Sequence, residues 1–168
     1  EARLKECAGI VAALPSAHGN AERLLVPDTS ALLDRTDLQD WTLDGGAWTV
    51  VLLPTVLSEL DDRKRDERTR DSAKKIINQI EEFDRRGNTL VGVPLAGKLS
   101  YREVALDPDM SETLPWLRSD VPDDVIIAGA LKLTWGDLTA RIAVTASDRN
   151  FRNKARLAGL SVVRPSDL

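Results

Sequence analysis

Residues Thr49-Val50-Val51-Leu52-Leu53 form an unbroken β-branched and apolar run, closed by Pro54. A strand that buries one face alternates apolar with polar residues; a run with no alternation belongs inside a parallel sheet covered on both faces. Parallel neighbours need crossovers of a dozen or more residues, usually helical. The chain supplies both. Leu24–Val26, Thr89–Val93 and Arg141–Thr145 are further strand-type runs, Lys98–Leu106 reads as a short extra strand, and Ser161–Val163 as a short last one. Between them lie helical patterns: Ser30–Arg35, Thr55–Leu60, the stripe Ile76, Ile77, Ile80 and Phe83 ending near Gly87, a helix opened by Pro122 and running through Leu133, and Arg149–Ala158 closed by Gly159. The densely charged Asp61–Lys75 stretch makes the third of these part of one long helix or a broken pair. Strands alternating with helices predict an α/β fold: a three-layer α/β/α sandwich with a central parallel sheet.

The chain has 168 residues, enough for one domain with a sizeable core. Residues 1–20 read as an amphipathic helix packed on that core, with Leu4, Cys7, Ile10, Val11 and Leu14 at helical spacing, and residues 21–168 as the main domain. Trp41 and Trp48, flanking the turn Asp44-Gly45-Gly46, read as core covers; Ser111–Leu117 reads as a brief helix. The lone Cys7 excludes an intrachain disulfide and suits a reducing, cytoplasmic compartment. One cysteine and one histidine, His18 in a turn, exclude zinc sites of the Cys/His kind. A net charge of -4 gives no global signature of nucleic-acid binding, though a local basic face still binds phosphate. No apolar stretch approaches the ~20 residues needed to span a bilayer, and the first residues lack a signal-peptide pattern. A first residue of Glu in place of Met reads as an excised or processed segment.

Carboxylates recur at strand ends. Asp28 follows the first strand and precedes Thr29 and Ser30, where an Asp serves either as helix cap or as a site residue in the crevice beyond the sheet. Glu59 lies on the helix leaving the second strand, Asp124 on the first turn of the helix leading to Arg141–Thr145, and Asp148 just past that strand. Brought to one edge, these groups repel unless a counter-charge joins them. Hard oxygen ligands select Mg2+ or Mn2+.

The runs Val26-Pro27-Asp28-Thr29-Ser30-Ala31-Leu32-Leu33, Leu53-Pro54-Thr55-Val56-Leu57-Ser58-Glu59-Leu60, Asp123-Asp124-Val125-Ile126-Ile127-Ala128 and Val144-Thr145-Ala146-Ser147-Asp148-Arg149-Asn150-Phe151 together resemble the PIN domain, a metal-dependent nuclease fold. They occur in that family's order; the second, with its charged helix, is most similar to the PIN branch found ahead of PhoH-like ATPases. The resemblance implies metal-binding, catalytic acids at Asp28, Glu59, Asp124 and Asp148, with Thr29 or Ser30 beside them. Asp124 is preferred to Asp123 because it stands four residues before Ala128; Asp123 reads as a supporting acid or a helix-terminus charge. Ala146 departs from the Thr or Ser usual two residues before the fourth acid, and Thr145 and Ser147 flank the gap.

The reaction this resemblance implies is hydrolysis of phosphodiester bonds, with single-stranded RNA as the expected substrate and Mg2+ or Mn2+ as cofactor. No Ser-His or Cys-His pair is available as nucleophile and base. Arg149 and Arg152 beyond Asp148, and Arg63, Lys64 and Arg68 beyond Glu59, are candidate phosphate contacts, weighed against a solvated charged face. Arg149 is favoured because it adjoins a proposed ligand. The alternative is a catalytically degenerate PIN domain acting as an RNA- or protein-binding module. A second copy of the chain and an antitoxin-like protein are the partners this resemblance admits; no membrane is expected. A dehalogenase-like phosphatase expects a second Asp where Ser30 stands, and no receiver-type Asp and Lys pair is evident.

Overall fold

A computed structural model describes residues 22–168. The expected helix within residues 1–20, and with it Cys7 and His18, lies outside the described residues. Strands β1 (Arg23–Pro27), β2 (Trp48–Leu52), β3 (Val93–Pro94), β4 (Leu99–Glu103), β5 (Arg141–Thr145) and β6 (Ser161–Val163) form one sheet in the order β3-β4-β2-β1-β5-β6. Every neighbouring pair is parallel except β3 with β4. Helices α1 (Thr29–Asp34), α2 (Pro54–Arg63), α3 (Arg70–Arg86), α4 (Pro122–Gly136) and α5 (Arg149–Leu157) supply the crossovers and the closing connection. The charged stretch is a broken pair: α2 stops at Arg63 and α3 starts at Arg70.

The central strands bury Leu24, Leu25, Val26, Val50, Val51, Leu52 and Val144, as their lack of alternation requires. The chain steps outward from β1 to β2 to β4, then returns to place β5 on the other side of β1. Right-handed crossovers therefore put α1, α2 and α3 on one face and α4 and α5 on the other. Phe83 of α3 packs on Tyr101 of β4, ring centroids 5.1 Å apart and tilted. The reversal of strand order makes the β1/β5 junction the topological switch point, where the crevice beyond the strand ends is available to a ligand.

Two expectations shift. The run Thr89–Val93 is not the third parallel strand: Asn88 closes a turn through Leu90 and Val91, which are 64% and 77% exposed, and only Val93–Pro94 pair, antiparallel, at the edge. A proline there removes a ladder donor, which an edge tolerates. The third parallel strand is Leu99–Glu103, within the stretch read as an extra strand. Ser111–Leu117 holds only a 3-10 turn, Met110–Glu112, capped by Asp109. Trp41 is buried and its indole N–H donates to the Arg35 carbonyl, while Trp48 is half-buried at the start of β2, on the sheet edge opposite the strand C-termini. Both cover the core.

Candidate active site

Asp28 is the first residue past β1. Its backbone N–H continues the ladder to the Thr145 carbonyl (2.9 Å), and its carboxylate caps α1 by accepting the Ala31 N–H (2.8 Å) and the Ser30 hydroxyl (2.9 Å). It is both cap and cleft residue. Burial pushes its carboxyl up to about 6 even though the Ala31 N–H and Ser30 hydroxyl favour the charged form. Thr29, buried beside it, donates its hydroxyl to Glu59 Oε2 (2.7 Å) and so ties α1 to α2.

Asp148 caps α5 by accepting the Phe151 N–H (2.8 Å). The loop that carries it is fastened from the first motif: the Ser30 hydroxyl oxygen accepts the N–H groups of Ser147 (2.9 Å) and Asp148 (3.1 Å). Ser147 in turn donates its hydroxyl to Asp34 (2.9 Å). Ala146, where a hydroxyl is usual, is buried and offers only its carbonyl, which accepts from Arg152 (2.8 Å). Thr145 is buried, its hydroxyl without a protein partner among the described residues.

A cleft of about 490 Å3 opens at this edge, lined by Asp28, Glu59, Asp123 and Asp148 together with Thr29, Ser30, Asp34, Arg63 and Ser147. Asp124 does not line it. The residue is 1% exposed, with Oδ1 on the Lys154 ammonium (2.6 Å) and Oδ2 on the Arg118 backbone N–H (3.1 Å). The first turn of α4 thus presents Asp123 to the cleft and turns Asp124 inward. Burial, then the charge of Asp148, raises the Asp123 carboxyl above the ordinary range. Spacing to Ala128 could not separate the two acids, because adjacent helical positions differ by about 100° in direction and both stand in the same first turn.

Among the candidate cations, only Arg63 reaches the cleft wall. Arg152 turns back to the carbonyls of Ala146 and Ser147, Lys64 pairs with Asp61 (2.5 Å), and Arg68 and Arg149 are exposed outside the lining. Asp34 is a cleft residue the sequence did not disclose. It sits four positions after Ser30, hence on the same face of α1, which is the signal that would have found it.

Among the described residues, no three carboxylates are gathered in a ready-made metal-holding group. In kind, the donors fit a hard divalent cation: all are oxygens, and two carboxyls are raised by burial, so each gains from a positive charge in the cleft.

A family model described as PIN domain matches residues 25–165. The match carries the family and not the PhoH-like branch within it. No curated protein matches. Among solved structures, the chain is similar to a domain of a functionally unknown protein from Methanocaldococcus jannaschii DSM 2661. Their identity is 17%, with a TM-score of 0.48, over 86% of this chain and 91% of that one.

Proposed function

The chain belongs to the PIN domain family, whose members are generally metal-dependent nucleases, and we propose that it hydrolyses phosphodiester bonds of single-stranded RNA with Mg2+ or Mn2+. The observation that carries this reading is the cleft at the switch point, where Asp28, Glu59, Asp123 and Asp148 share one wall set. These four would hold the cation. When bound, it supplies Lewis acidity, lowering the pKa of a bound water and offsetting charge that develops on the phosphate.

The chain's own groups do the rest. Ser30 fixes Asp28 and the 147–148 backbone relative to one another, and Thr29 fixes Glu59. Arg63, on the wall, meets a substrate phosphate; a solvent-facing Arg149 meets the RNA further along its length. A cytoplasmic setting agrees with the single cysteine. Some PIN domains pair with antitoxins, and an antitoxin-like protein or a second copy is the protein partner proposed.

Asp28→Asn together with Asp148→Asn should abolish Mn2+-dependent cleavage of a labelled single-stranded RNA by the purified protein. Undiminished cleavage would refute the mechanism. A second reading, a binding module without turnover, draws on the absence of a ready-made three-carboxylate group among the described residues. Calorimetric titration with Mn2+ separates them, since a pure scaffold binds none near neutral pH.

A further inference from the structure

Behind the cleft, α4 and α5 are joined by an ion pair between the buried Asp124 and the partly exposed Lys154. We propose that Lys154 is a resident counter-cation that neutralises Asp124 and withdraws it from the ligand set, leaving a divalent cation to Asp28, Glu59, Asp123 and Asp148. The inference rests on the metal-dependent reading of this cleft.

Lys154 stands on α5, six residues after the cap Asp148, and its ammonium lies 2.6 Å from Asp124 Oδ1. The Arg118 N–H holds the other oxygen at 3.1 Å, so both oxygens are engaged in a side chain almost wholly out of solvent. Such a charge keeps its partner, because leaving it alone in a low-dielectric site is costly. For Asp124 to ligate a metal it would have to give up Lys154, and the freed ammonium would then repel the incoming cation. Asp123, one position earlier, faces the cleft without that obstacle. The Lys154 charge also reaches Asp123, where it partly offsets the rise caused by burial and Asp148. A lysine in this place therefore acts on the cleft's charge and not only on the α4–α5 joint.

Mn2+ titration of the full chain by calorimetry, with melting by circular dichroism as the check on folding, tests this. The variant carrying both Lys154→Gln and Asp124→Asn loses a neutral pair, so its Kd and stoichiometry should stay within threefold of the original chain. Lys154→Gln alone releases an uncompensated carboxylate beside the cleft and should tighten Mn2+ at least threefold or admit a second ion. Asp28→Asn should weaken it at least tenfold. A tenfold loss in the double variant makes Asp124 a ligand and overturns the proposal. So does an unchanged Kd and stoichiometry in Lys154→Gln, which reduces the pair to a structural joint. If Lys154→Gln does not fold, the double variant decides alone. Absence of Mn2+ binding by the original chain overturns the metal-dependent reading and this inference together, whereas binding with a tenfold loss in the double variant overturns this inference only.

Discussion

The Ser30 hydroxyl oxygen accepts the backbone N–H of Asp148 at 3.1 Å across 118 positions of sequence, while its proton goes to the Asp28 carboxylate at 2.9 Å. One small side chain thus sets the spacing of two cleft acids that follow different strands, and fastens the 147–148 backbone. Ser30→Ala removes the acceptor of two backbone N–H groups. A lost hydrogen-bond partner at a partly buried site costs roughly 1–3 kcal/mol. Thermal melting should show that loss, and single-turnover cleavage should slow about tenfold, since small displacements of positioned groups have large kinetic effects. Unchanged rates would mean the loop holds its shape without Ser30.

The buried Asp28 makes the metal-free protein sensitive to pH. Its carboxyl is raised from an ordinary 3.8 to about 6, so the folded state binds this proton more tightly than the unfolded chain. The contribution to stability is full below about pH 3.8 and is lost as pH rises through about 6. At about 1.4 kcal/mol per unit, the loss is roughly 3 kcal/mol. Asp123, also raised by burial, acts with the same sign. In chelator, urea midpoints should fall between about pH 4 and pH 6 beyond what the remaining groups impose, and Asp28→Asn should flatten that fall. A profile identical in both proteins would sink the assignment.

Where a residue's chemistry depends on its place along the chain, the sequence was legible; where it depends on direction, it was not. The uninterrupted run Thr49–Leu53 required a doubly covered parallel strand, and the acids after β1 and β5 had to meet at the same edge. Thr89–Val93 reads equally well as a strand, because Leu90 and Val91 are apolar although the turn exposes them. Asp123 and Asp124 are adjacent and chemically identical; what separates them is tertiary, the Lys154 ammonium thirty residues on and the Arg118 N–H, both on Asp124. Arg152 looks like a phosphate ligand until the loop carbonyls it serves are seen. The turn around Asn88 and the docking of α4 are decided by tertiary packing, which overrides local propensity.

Arg63 and Arg152 should respond differently to truncation. Arg63 is exposed on the cleft wall, so Arg63→Ala should raise KM several-fold, leave the melting temperature nearly unchanged, and lower the salt dependence of binding to single-stranded RNA by about 0.7 in log–log slope. Arg152 donates to the carbonyls of Ala146 and Ser147. Arg152→Ala should therefore melt earlier, with an unchanged salt slope. The reverse pattern would exchange their roles.

Gly129 sits in the interior of α4, where Ala normally stabilises a helix by about 0.5–1 kcal/mol over Gly. Here the added Cβ would lie 2.7 Å from Leu53 Cδ1 and 3.6 Å from Leu106 Cδ2. Leu53 is 2% exposed and immediately precedes α2, the helix that carries Glu59, so it cannot swing away into solvent. Overpacking of this kind costs about 1–3 kcal/mol, which exceeds the helical gain. Gly129→Ala should lower stability by about 1 kcal/mol, or some 2–4 °C in melting temperature for a domain of this size. Leu53→Ala opens the space that the new methyl needs, so in that background Gly129→Ala should become neutral or stabilising. A double-mutant cycle measures the coupling. Independent, additive effects would show that α4 does not rest on Leu53 and that Gly129 is not what lets the helix approach the sheet.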